Sequence, residues 1–284
     1  MSIKAYKGFD KNMQCHGFQF AEGETYHEDT AKLCESGFHA CEMPLDVLAY
    51  YAPCEGSIYR EVTLDEVTDE SSNDSKRCAK TITIGKELGI DGIIKAQLEF
   101  VKENSIHRSE TTQARGAAQA TGYRGVAQAS GDRGAAQASG NIGAAQETGY
   151  RGVAQASGDR GAAQASGNLG AAQATGYRGA AQATGYRGAA QATGYMGAAQ
   201  ASGYMGVAQA SGDRGAAQAT GKASVASGCG LECSVMGALG CAIFAVERTQ
   251  DKTIISVASA IVDGEKIKPD TWYKCIDGKF VEAT

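Results

Sequence analysis

The chain has 284 residues, among them 38 glycines, three prolines and nine cysteines, with a net charge of −5. Glycine at about twice its usual share beside so little proline excludes collagen and Pro-rich disordered linkers, and no run of about 18 apolar residues offers a membrane span. Met1-Ser2-Ile3-Lys4-Ala5-Tyr6 lacks an apolar secretory core, and nine irregularly spaced cysteines read as reduced thiols of a cytoplasmic protein.

Residues 1–110 carry 12 Lys and Arg against 20 Asp and Glu, residues 111–222 carry 9 against 4, and residues 223–284 carry 6 against 8. A basic centre between acidic ends permits an anionic partner without demanding one. Residues 1–110 read as a small acidic α+β domain. Strands are expected at 3–6, 37–41, 57–64 and 81–84, from their β-branched and aromatic content. Short helices are expected over 44–51, behind Pro44, and 91–103, where Ile93, Ile94, Leu98 and Val101 recur at helical spacing. The segment 66–76, heavy in Asp and Ser, reads as a solvated loop.

Three groups in this domain bear on chemistry. Tyr6, His39, Tyr50 and Tyr51 are the candidate pocket. Cys15, His16, His27, Cys34, His39, Cys41 and Cys54 lack the Cys-x2-Cys knuckle of zinc sites, so no metal is expected. His39 and Cys41 sit two apart on one strand face, the arrangement a Cys–His nucleophile pair would need, with nothing to orient them. Buried free thiols and half-buried aromatics are the plain alternative.

From Gly116 to Ala223 the sequence repeats every nine residues as Gly-Ala-Ala-Gln-Ala-Thr-Gly-Tyr-Arg, in twelve units without insertion. Such a period means a solenoid, each unit contacting its neighbours. Places two to six are a strand's length and the glycine-bracketed remainder is a corner. Alanines at places three and five, such as Ala118 and Ala120, are expected inward, with Glu147 the one exception. Outward, Thr121 and the glutamines Gln119, Gln128, Gln137, Gln146, Gln155, Gln164, Gln173 and Gln182 are expected to stack as ladders, coil on coil. Methyl groups alone cannot fill a three-sided coil. Two close sheets with 18 residues per coil can bury them, and a 27-residue superperiod aligning Tyr123, Tyr150, Tyr177 and Tyr204 is explained by duplication of three units. A bundle of polyproline-type helices is the alternative, opposed by Gln at place four.

Corners carry Tyr123, Arg124, Arg133, Tyr150, Arg151, Tyr177 and Arg178, with Met196 and Met205 where other units have arginine. Arginine beside tyrosine at successive corners admits binding of a nucleic-acid strand. Calcium loading is unsupported, since Asp appears only at Asp132, Asp159 and Asp213, and the glutamine beside each Thr or Ser argues against ice binding. Residues 224–284 read as a cap, with Leu231, Val235, Leu239, Ile243 and Phe244 as a plug and hairpins at Asp263-Gly264 and Asp277-Gly278.

The Gly-x-x-Gly-x-Ala-x-Ala-x-Gly pattern, closest at Ala223-Ser224-Val225-Ala226-Ser227-Gly228, resembles the β-roll heads of trimeric autotransporter adhesins. Taken whole, with Gly37-Phe38-His39-Ala40-Cys41, the nonapeptides and the terminal Trp272-Tyr273, the chain is similar to uncharacterised proteins encoded by phages and prophages of gut Firmicutes. That family implies no established activity. Tyr6-Lys7-Gly8 with His39, Tyr50 and Tyr51 resembles the ADP-ribosyltransferase pattern, which implies a nicotinamide-stacking tyrosine and a late glutamate, here Glu61 or Glu99. Lys7 stands where that pattern has arginine.

The expectation is a mainly β protein: acidic domain 1–110, two-sheet β-solenoid 111–223, cap 224–284. Its function is read as non-enzymatic, structural and homo-oligomeric. The adhesin resemblance implies a trimer, and the phage resemblance a place in the host cytoplasm or virion. No cofactor or membrane is called for, and the protein partner is unknown. A nucleotide-binding or ADP-ribosyltransferase-like first domain is one alternative and nucleic-acid binding along the corners another.

Overall fold

The computed structural model describes residues 2–72, 74–105 and 107–283. The chain divides into two compact units, Met1–Gln97 and Leu98–Thr284.

Seven strands build the first unit: β1 (Ile3–Phe9), β2 (Gln14–Cys15), β3 (Phe18–Gln19), β4 (Thr25–His27), β5 (Phe38–Cys41), β6 (Ile58–Ser71) and β7 (Lys76–Leu88). Strand β7 pairs β5, β5 pairs β1, β1 pairs β6, and β6 returns to β7, closing a small ring with β4 added outside β7. Every pairing is antiparallel. Its interior packs Ala5, Phe9, Phe20, Phe38, Val62, Leu64, Ile82 and Ile84. Phe9 and Phe20 lie 5.2 Å apart and tilted, the offset geometry that ring quadrupoles favour. Most of the acidic stretch 66–76 is strand rather than loop: β6 runs to Ser71 and β7 starts at Lys76, which leaves only the short connection between them. Cross-strand pairing such as Val67↔Ala79 and Ser71↔Arg77 overrides its loop-like composition. The segment behind Pro44 is a 3-10 helix, Pro44–Ala49. Helix α1 (Ile90–Asn104) follows the ring.

The second unit is a β-solenoid of about 8 coils. Strands pair in parallel with partners 18 residues on, as in Ala163↔Ala181 and Gln155↔Gln173. Two sheets result, one from odd and one from even nonapeptides. The stack begins before the repeat, at His107–Thr111 paired with Gly125–Ala129. Alanines of places three and five fill the space between the sheets, from Ala118 to Ala219, at most 5% exposed. Because a methyl group reaches so little, only two sheets at close range bury it fully. Over an 18-residue coil the 27-residue superperiod sends like residues to alternate corners.

Corner backbones are bonded coil to coil: Met196 N–H donates to the Tyr177 carbonyl at 2.9 Å and Ala198 N–H to Gly179 at 3.0 Å. That closeness explains the glycine at place seven. A Cβ on Gly167 would sit 1.5 Å from the Gly149 carbonyl oxygen, and one on Gly194 1.4 Å from that of Gly176. At place one the restriction is milder, since a Cβ on Gly170 would meet the Ala165 methyl at 3.0 Å and the Gly167 carbonyl oxygen at 3.1 Å.

Glu147 occupies an inward place and is fully buried. Its Oε1 accepts the Gly149 N–H at 2.5 Å, and its Oε2 has no hydrogen-bond partner. Burial pushes its carboxyl above the ordinary 4.5.

Past Ala223 the stack continues through Val225–Gly228, Ser234–Gly237 and Ala242–Arg248. Larger inward residues then seal it: Val235, Cys241, Ile243, Val262, Tyr273 and Cys275. Asp277-Gly278 is a two-residue hairpin between Ile276 and Lys279, both residues left-handed. Asp263-Gly264 makes no hairpin. The Asp263 carboxylate accepts the N–H groups of Glu265, Lys266 and Ile267, each at 2.9 Å, and so folds a loop instead of joining paired strands.

Candidate functional site

A cleft of about 680 Å³ opens in the first unit. Strands β1 and β5 pair only at Tyr6↔Cys41 and diverge beyond it, so the ring is split there. Tyr6, His39, Tyr50 and Tyr51, expected together, all line it, joined by Lys7, Lys76, Cys34 and Cys41. Gly37 lets the chain enter β5: its φ is +81°, and a Cβ would meet the Ala79 carbonyl at 2.8 Å. Gly8 seats Tyr51, because a Cβ there would lie 2.7 Å from that side chain. Tyr50, half exposed, donates its hydroxyl to the Asp74 carboxylate, and the Lys76 ammonium stands 4.5 Å from its ring centre.

Lys7 entered the sequence reading only as a departure from the ADP-ribosyltransferase pattern, and its place in the cleft wall was missed. It alternates with Ala5 and Phe9 on the inward face of β1 and is only 8% exposed. Its ammonium donates to the His39 carbonyl across the split at 2.9 Å and lies 5.7 Å from the ring centres of Phe9 and Phe20. A lysine at a core-face position of a strand was the signal available.

His39 accepts the Cys34 N–H on Nε2 at 2.9 Å. Burial first, then the ammoniums of Lys7 and Lys76, hold it below the usual imidazole value, so it is neutral at pH 7. Burial, and then the nearby Asp46 and Asp74, push the Cys41 thiol up to about 12. A nucleophilic pair needs a thiolate, and at Cys41 the thiol form prevails. Of the two glutamates offered for the ADP-ribosyltransferase pattern, Glu61 is held by Lys4 at 3.1 Å and does not line the cleft, while Glu99 belongs to the second unit. Among the described residues no three His, Cys, Asp or Glu side chains gather as a metal site would require, and no disulfide joins the nine cysteines.

On the solenoid the glutamines do form ladders. Gln146 donates to Gln164 at 2.7 Å, Gln164 to Gln182 at 2.7 Å and Gln182 to Gln200 at 2.8 Å. Gln128 lies 2.8 Å from Gln146. On the other sheet Gln119 donates to Gln137 at 3.1 Å and Gln155 to Gln173 at 3.0 Å. Gln182 points away from the alanines yet is buried, whereas Gln119, Gln137 and Gln155 are open to solvent, as is Thr121.

The corner residues do not form one track. With 18 residues per coil, Tyr123, Arg124, Tyr177, Arg178 and Met196 fall on one corner column, and Arg133, Tyr150, Arg151 and Met205 on the opposite one. Each arginine beside a tyrosine folds over that ring: Arg124, Arg151 and Arg178 stand 5.8, 5.5 and 5.4 Å from the centres of Tyr123, Tyr150 and Tyr177. Tyr177 stacks on Tyr195 at 5.1 Å. Met205 is 40% exposed, but Met196 is buried and so not free to meet a partner.

Residues 3–96 match a family described as a domain of unknown function, DUF7666, and the whole cleft lies within that match. No curated protein and no solved structure matches the chain. No helix among the described residues is long and apolar enough to cross a membrane.

Proposed function

We propose that the chain is a non-enzymatic structural protein whose solenoid joins copies of itself through the cap. One observation carries this reading. The last strand of the nine-stranded sheet, Ile254–Ile261, pairs on one side only, and Ile254, Ile255, Val257 and Ile261 on it are 55, 55, 52 and 66% exposed. Open edges are ordinarily blunted by charge or proline. The ten-stranded sheet follows that rule, ending in His107–Thr111 with Arg108 and Glu110 and in Lys279–Glu282 with a charge at each end. Ile254–Ile261 carries no charge and no proline, and neither does Ala117–Ala120 at the other edge of its sheet, but large exposed apolar side chains belong to Ile254–Ile261.

An uncharged edge is complementary to itself, because an identical strand running antiparallel about a two-fold axis meets every open donor with an acceptor. Pairing covers the flanks of those four side chains, which is worth at most roughly 3–6 kcal/mol per copy. Main-chain hydrogen bonds add about 0.5–1.5 kcal/mol each against the cost of association. The edge favours a two-fold dimer over the trimer that the adhesin resemblance implies. Reduced cysteines fit a cytoplasmic setting, and the phage resemblance would put the rod in host cytoplasm or virion.

Light scattering of the full chain at micromolar concentration tests the proposal. The expected mass is twice the 29.4 kDa of one chain, falling to that of one chain in Ile255→Lys/Val257→Lys. A wild-type monomer, or a double variant that stays associated, overturns it.

A further inference from the structure

The split in the first unit holds a buried ammonium without a counter-ion. Lys7 is more than nine-tenths buried, and its ammonium has one hydrogen bond, to the His39 carbonyl. Among the described residues no carboxylate comes within ion-pair distance of it. Arg60, equally buried on β6, shows the usual arrangement, with Glu22 at 2.7 Å and Glu87 at 3.2 Å. A buried cation without a counter-ion is costly, and the cost is relieved when an anion arrives. A second ammonium faces the same space: Lys76 contacts the Cys34 sulfur at 3.4 Å and the Tyr50 ring, again without a carboxylate within ion-pair distance.

The acids nearby have other hydrogen-bond partners, although the Lys76 charge also acts on Asp74. Glu35, the acid on the cleft wall, is held by Lys32 at 2.7 Å. Asp74 receives the Tyr50 hydroxyl and Asp46 the Ser75 hydroxyl. The cleft is therefore a cationic spot in a domain with an excess of Asp and Glu. Its walls are aromatic, from Tyr6, Tyr50 and Tyr51, and its volume of about 680 Å³ is within the range of small-molecule sites.

We propose that this cleft binds a small organic anion carrying a planar ring, an aryl phosphate or aryl carboxylate, with Lys7 and Lys76 on the anionic group and the tyrosines against the ring. Lys7 anchors from inside the split, and Lys76 closes from its mouth over Tyr50. The site lies in the first unit and does not depend on self-association of the solenoid.

Equilibrium dialysis of the full chain against 4-nitrophenyl phosphate tests it, with inorganic phosphate and benzyl alcohol as the anion and the ring alone. The expected result is saturable binding of 4-nitrophenyl phosphate that weakens with salt, each half binding at least about tenfold more weakly. Lys76→Met should lose at least about tenfold. Lys7→Met, which removes a cation that has no counter-ion, should melt no lower than wild type and lose the rise in Tm that 4-nitrophenyl phosphate gives. Absence of saturable binding at millimolar concentration, equal binding by inorganic phosphate, or undiminished binding in Lys76→Met overturns the proposal. So does a Lys7→Met chain that melts well below wild type, which would show that ammonium to be structural.

Discussion

Glu147 gives the sharpest test of the alanine interior. It occupies the place that is alanine in every other nonapeptide, fully buried, with Oε2 unpartnered. Room for its carboxyl exists because place one of the next unit is glycine: a Cβ on Gly152 would fall 1.5 Å from the Glu147 Cδ. Glu147→Ala restores the pattern of the neighbouring coils and removes a buried acceptor that costs about 1–3 kcal/mol when left unpaired. The carboxyl is raised above 4.5 in the folded chain, by burial first. Its contribution to stability is therefore fully present below the unfolded value and lost as pH rises through the folded one. Wild type should weaken relative to the variant on going from acid to neutral pH. Urea unfolding followed by far-UV circular dichroism should place Glu147→Ala about 1–3 kcal/mol above wild type at pH 7, with a smaller gain near pH 4. A variant less stable than wild type, or a gain that does not change with pH, would refute the inward placement and the physics attached to it.

Two further substitutions follow from the same coil. Gly167→Ala should cost about 3 kcal/mol or more, because its methyl would collide with the Gly149 carbonyl at 1.5 Å, while Gly170→Ala, whose nearest contacts are at 3.0 and 3.1 Å, should cost clearly less; equal Tm losses would contradict the 18-residue stacking. Gln164→Ala breaks the amide ladder at 2.7 Å on both sides and should cost about 1–3 kcal/mol, and a chemical-denaturation loss below about 0.5 kcal/mol would show that the ladder adds nothing.

The solenoid was legible because its constraints are local and repeated. Glycine at places one and seven, alanine at three and five, and the small volume of a methyl group together lead to two sheets and an 18-residue coil. The strands of the first unit were legible where β-branched and aromatic residues crowd together, but 66–76 was not. Glu66, Asp69, Glu70 and Ser71 are exposed on one arm of a hairpin whose existence is settled by pairing with distant residues such as Ala79. Tyr6, His39, Tyr50 and Tyr51 were legible as a group. The pairing of Lys7 on β1 with Lys76 on β7 as cations of one cleft was not, because they lie far apart in sequence and come to line the same space only through the fold. At the other end, Asp263-Gly264 reads as a hairpin, and only the three N–H groups gathered on its carboxylate make it a loop.

Self-association through the open edge makes a direct statement about particular amides. Hydrogen–deuterium exchange of the peptide covering Ile254–Ile261, measured across a series of protein concentrations, reads those amides with no substitution at all. Two-fold pairing predicts slow exchange at high concentration and a marked rise on dilution, while Ala198–Ala201, bonded on both sides within one chain, stays protected throughout. Exchange of the edge strand that is fast and independent of concentration would contradict the proposed assembly.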